Sequence, residues 1–162
     1  MKHIKIFLGI FVVLAASRFI PHPPNFTSLI ALSFCVPAIF GTRFIPITLI
    51  CFIFTDLIIG IHANILFTWG SIIFIGLISN HFKKNFKTRT LGVLTSCLIF
   101  YLITNFGVWS TGFYEFSLNG FIECYVMAIP FFGNTLMSTI IYFLTIEAIY
   151  KYILVKKNFL KI

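Results

Sequence analysis

The chain has 162 residues, 59% hydrophobic and 10% charged, with 12 Lys and Arg against 4 Asp and Glu for a formal net charge of +8. Soluble domains carry roughly 25% charged residues, so this composition, with a mean hydropathy of +1.03, excludes an ordinary soluble domain and predicts an all-α integral membrane protein. The cations flank apolar runs, where lipid headgroups and membrane orientation account for them, so no nucleic-acid partner is expected.

Crossing about 30 Å of hydrocarbon takes about 20 helical residues, fewer where the bilayer thins or flanking side chains snorkel. The first apolar run covers residues 4–20. Its basic start, Lys2 and Lys5, followed by apolar residues and then Ala15, Ala16 and Ser17, also outlines a signal peptide, and retention of the segment is the expectation. The stretch that ends it and follows it, residues 18–27, gathers Arg18, His22, Asn25 and three of the six prolines. Proline lacks the N–H and fixes φ, so Pro21, Pro23 and Pro24 end the helix and hold a stiff turn, expected to be the rim of a pocket.

The second run, 26–40, carries Pro37 and is expected to be kinked or tilted. A third run, 44–60, has Pro46 in its first turn, where proline costs little, and Asp56 near its far end. The fourth covers 65–82 and leads into a basic loop with Lys83, Lys84, Lys87 and Arg89. A fifth, 91–109, ends in the cluster of Asn105 and Trp109. Residues 118–130, interrupted by Glu123 and stopped by Pro130, read as a half-helix or re-entrant piece, and the last run covers 131–155. Six spans in one transmembrane domain result. With both termini cytoplasmic in a bacterial inner membrane, every Lys and Arg except Arg18 falls inside, as the positive-inside rule favours; a seventh span would put the C-terminal lysines outside.

That topology sorts polar residues by depth. Arg18, His22, Asn25, Asp56, Asn105, Trp109, Glu123 and Asn134 all fall in the outer third or in outer loops, whereas the inner half holds mainly Ser and Thr besides Glu147. Polar groups at membrane depth face a cavity or each other, so an outward-facing pocket for a small solute is expected, lined by those eight residues. Six of them have a plainer reading. Arg18 and Asp56 either clamp a ligand or form a structural ion pair; His22 either meets solute or is a solvated loop residue; Trp109 is equally an interfacial anchor. Asn105 and Asn134 either bond across helices or contact solute. Glu147 and Lys151, one turn apart, read as an i, i+4 pair.

The four cysteines show no Cys-x-x-Cys spacing, and the four histidines no metal-binding spacing; neither a nucleophile elbow nor a phosphate loop occurs. No cofactor or metal is expected and no enzymatic activity. The rival readings are a membrane enzyme acting on a lipid or outer-face substrate, with His22 and an outer carboxylate as acid and base, and a non-transporting accessory protein.

Four blocks carry a resemblance: PHPPNFT at 21–27, TDLIIG at 55–60, FYLITNFGVW at 100–109 and GFIECYVMAIPFFGNT at 120–135. Together they resemble an uncharacterised bacterial membrane family labelled as transport proteins. That family is in turn similar to the substrate-binding S components of energy-coupling-factor (ECF) transporters. The resemblance implies a six-transmembrane-helix bundle, a solute pocket covered by loops, membrane lipid as surroundings, and a transmembrane scaffold with ATPase subunits as partners. S components dock through small residues on their first helix; here Gly9, Ala15 and Ala16 are the small residues, with Val13 one turn after Gly9.

Overall fold

The computed structural model describes residues 2–159. They form seven α-helices: α1 Lys2–Phe19, α2 Leu29–Phe40, α3 Ile45–Ile59, α4 Ile65–Ile78, α5 Phe86–Ser110, α6 Leu118–Met127 and α7 Ile129–Phe159. Single 3-10 turns at Thr42–Phe44 and Ser79–His81 lead into α3 and out of α4. Among the described residues, three segments are long and apolar enough to cross a membrane: Thr42–Ile59, Phe86–Ser110 and Ile129–Ile153. Shorter apolar helices cover Phe7–Phe19, Leu29–Phe40 and Ile65–His81.

Local chemistry places the ends. α5 begins at Phe86, before the apolar run proper, because Asn85 caps it reciprocally: its Oδ1 accepts from Thr88 N at 2.9 Å, and its N–H donates to Thr88 Oγ1 at 3.1 Å. The basic residues Lys87 and Arg89 are thereby helical rather than looped. α6 starts under a similar cap, with Ser117 Oγ accepting from Gly120 N at 3.1 Å. Pro130 sits in the first turn of α7, where its missing N–H breaks no helical bond, so α6 and α7 are separated by Ala128 alone. Gly41 and Gly60 close α2 and α3 with φ of +99° and +124°, a backbone region closed to most side chains.

Packing is organised on α2, which is buried from Leu29 through Pro37. One core joins its Leu29, Leu32 and Val36 to Leu14, Phe44, Phe52 and Ile72 from α1, the turn before α3, α3 and α4. A second joins its Ile30, Phe34 and Cys35 to Ile75, Val93, Cys97 and Phe143 from α4, α5 and α7. Outward faces are apolar instead of polar: Leu91, Leu94, Leu98 and Leu102 run as an exposed stripe along α5. Such apolar exteriors suit lipid and not water.

Within the helices, hydroxyls turn back on their own backbone. Ser33, Thr48, Ser71, Ser79 and Ser96 each bond a carbonyl three or four residues earlier. This satisfies these five hydroxyls where no water reaches them and accounts for their burial without any site.

The one buried carboxylate of α7 corrects a reading from spacing. Glu147, only 2% exposed, pairs with Arg89 across the bundle and not with Lys151. Arg89 Nε and Nη2 reach Oε1 at 2.5 Å and Oε2 at 2.8 Å, and Nη1 donates to the Lys83 carbonyl. The planar fork of arginine matches both carboxylate oxygens, which a lysine cannot do. The Lys151 ammonium lies 4.9 Å from the Phe86 ring centroid instead.

Candidate functional site

At the end of the bundle opposite Arg43, Lys83, Lys87 and Lys151, the C-terminal turns of α1, α3 and α5 meet the N-terminal turns of α2, α4 and α7 around a cavity of about 630 Å³. Its wall combines polar side chains such as Arg18, Asn64 and Asn105 with aromatic ones such as Phe100, Phe131 and Phe132.

Residues 20–28 form a strap over one side of this opening, because the strap's two ends are tied together at its base. Ser17 and Ser28 hydroxyls lie 2.8 Å apart, and Ser28 N donates to Ser17 Oγ at 3.1 Å. Above that, Phe26 N bonds the Pro23 carbonyl, and Asn25 takes φ +62°, a left-handed conformation that Asn tolerates better than most residues. His22 is exposed, and its Nδ1 lies 2.7 Å from the Pro23 carbonyl, so Nδ1 carries the proton that this bond uses. Asn134 of α7 donates from Nδ2 to the Pro24 carbonyl at 3.0 Å and fastens the strap to the far side of the opening.

Arg18, at the last turn of α1, is 13% exposed and anchors a charged network. Nη1 donates to Thr55 Oγ1 at 2.5 Å, Nη2 lies 2.7 Å from Asp56 Oδ1, and the guanidinium carbon stands 4.5 Å from the Phe52 ring centroid. Asp56, 1% exposed, also accepts from Trp69 Nε1 at its Oδ2, 2.8 Å away. Three helices, α1, α3 and α4, are thus joined through one carboxylate. Replacing Trp69 with Phe keeps the ring and removes that N–H, so thermal unfolding should show a loss of about 1–3 kcal/mol, the cost of leaving a buried acceptor short of a donor.

Of the eight residues singled out from sequence, Arg18, His22, Asn25 and Asn105 line the cavity. Asp56 lies behind Arg18, and Asn134 holds the strap. Trp109 turns toward α6: its Nε1 donates to the Glu115 carbonyl at 3.1 Å, and its ring packs on Phe116 and Phe121. Glu123 sits on the exposed face of α6. Asn105 donates from Nδ2 to the Tyr101 carbonyl of its own helix at 2.7 Å, so that amide is not a bond between helices.

The eight omit Tyr101, Thr104, Thr135, Ser138 and Asn64, all on the wall; of these Asn64 is readable from sequence as a polar residue at the same end. A signal was present: 101, 104, 105 and 108 on α5, and 131, 135 and 138 on α7, recur at helical spacing and so share one face each. Asn64 enters because residue 107 is glycine. A Cβ there would lie 2.0 Å from Asn64 Oδ1, whereas the amide as placed donates to the Thr104 carbonyl at 2.9 Å.

A family model described as a family of unknown function, DUF6580, matches residues 1–161. The chain belongs to that family. No curated protein and no solved structure matches it. The cavity of this DUF6580 member therefore has to be interpreted from its own chemistry.

Proposed function

We propose that this DUF6580 protein is a multi-pass protein of the bacterial inner membrane that binds a small solute in a pocket open to the outside, as the solute-binding subunit of a transporter. The observation that carries the reading is the cavity of about 630 Å³, placed where the strap, the charged network and the polar faces of α5 and α7 converge. Small-molecule sites are concave, mostly apolar, about 300–1,000 Å³ in volume and supplied with a few convergent polar groups.

In this reading α1 to α5 and α7 are six spans, and α6 is a short helix at the outer surface. The cations Arg43, Lys83, Lys84, Lys87 and Lys151 then gather at the cytoplasmic end with both termini, while Arg18 lies outside. Resemblance to ECF S components supports the same arrangement and supplies the partner: a transmembrane scaffold with ATPase subunits. The face of α1 carrying Gly9, Val13 and Ala16 is exposed, and an added Cβ at Gly9 meets nothing within 4 Å, so this face of α1 is open for docking. His22 as a catalytic acid or base is the weaker reading, because no Asp or Glu is among the residues that line the cavity with it.

A thermal-shift screen of the detergent-purified protein against vitamins, nucleobases, amino acids and divalent metals tests the proposal. A ligand at 100 times its dissociation constant stabilises by about 2.7 kcal/mol. The expected result is a shift that Asn105→Ala weakens and that Thr90→Ala, at the opposite end, leaves intact. A screen with no shift, or a shift indifferent to Asn105, removes the assignment.

A further inference from the structure

We infer that the solute is an organic anion, a carboxylate or similar acidic head on an aromatic body; this rests on the solute-binding reading above. Its first ground is the charge of the wall. Arg18, His22 and His62 line the cavity, and neither Asp nor Glu does. A cationic solute entering there would lose water and meet no carboxylate, which is costly in a medium of low dielectric. Asp56 offers nothing to such a solute: it is 1% exposed, and its two oxygens face Arg18 and Trp69.

The pair therefore turns its cationic side to the cavity and its anionic side into the protein. A guanidinium has five N–H donors; Arg18 donates one to Thr55 and meets Asp56 as an ion pair. The remaining donors sit on a side chain that lines the cavity, in the planar geometry that carboxylates match.

The second ground is the aromatic side. Phe100 and Tyr101 come from α5 and Phe131 and Phe132 from α7, two helices that pack on each other, whereas Arg18 comes from α1, which packs on α2 and α3. The Tyr101 and Phe132 rings stand 4.9 Å apart, centroid to centroid. An occupant with its acid at Arg18 and a ring against these side chains meets both surfaces at once.

The test uses three compounds that share one ring and differ in charge: indole-3-acetate, indole-3-acetamide and tryptamine, each titrated to its solubility limit against the detergent-purified protein. Indole-3-acetate should bind at least about tenfold more tightly than the amide, with the amine weakest. Arg18→Gln alone strands a buried carboxylate, so the decisive variant is Arg18→Gln with Asp56→Asn, which removes both charges together. It should keep amide binding and lose the preference for the acid. Asp56→Asn alone leaves the arginine uncompensated and should tighten acid binding. If the amide or amine binds as well as the acid, or the double variant keeps the preference, the anion class is wrong and the solute site stands. If none of the three binds and no other anion in the wider screen does, the inference falls; if nothing of any charge binds, the solute-binding reading falls with it.

Discussion

Replacing Arg89 with alanine should lower stability by about 3–5 kcal/mol, among the largest effects of any single substitution in the chain. The reason lies with the partner left behind. Glu147 is 2% exposed, and both its oxygens are held by the arginine, so truncation strands an ionised carboxylate where water does not reach it. Replacing both residues by apolar ones, Arg89→Met with Glu147→Leu, should recover most of that loss, because no charge then remains to be desolvated. Thermal unfolding in one detergent, with the single and double variants side by side, checks the sign of each step. A double variant as unstable as Arg89→Ala would mean that packing, and not charge, carries the effect.

Gly92→Val should cost about 3 kcal/mol, although replacing glycine in a helix interior ordinarily stabilises by up to about 1 kcal/mol. A Cβ at position 92 would lie 2.4 Å from the Phe34 ring and 2.7 Å from Phe82 Cβ. Phe34 is fully buried in α2 and cannot move aside without opening the second core. Gly133 on α7 provides the opposite case: a Cβ there meets nothing within 4 Å. Gly133→Ala should therefore stabilise by up to about 1 kcal/mol, as helix propensity alone dictates. Measured together, the two substitutions separate close packing from intrinsic preference.

Composition and hydropathy made the helical, apolar character of the chain legible, because lipid-facing and core residues are both apolar and their runs are long. The gathering of polar residues at one end was also readable, since depth follows from position within a run. Facing was harder to read. Trp109 and Glu123 lie at the same end of the bundle as the cavity but do not line it, and the direction in which α6 turns depends on the Ser117 cap and on the close approach of Gly120 to the Glu115 carbonyl. Pairing was illegible where it joined distant positions. Spacing offered Lys151 to Glu147, and nothing local announced Arg89, 58 residues earlier. Arg18 and Asp56 are readable as a pair because each is a rare ionisable group near the end of its apolar run, but Trp69, the third member, resembles any other aromatic in such a run.

The burial of α2 has a mechanical meaning. A helix in contact with lipid must match its apolar length to the bilayer, or the bilayer distorts around it at a cost that grows with each ångström of mismatch. With 12 residues α2 is well short of that length, yet from Leu29 to Pro37 it is covered by its neighbours and belongs to both cores. In the membrane reading proposed above, thickness has no grip on it: the surrounding helices meet the acyl chains, and α2 is an internal post whose length is set by protein alone, with its first residues, Leu29 and Ile30, on the cavity wall.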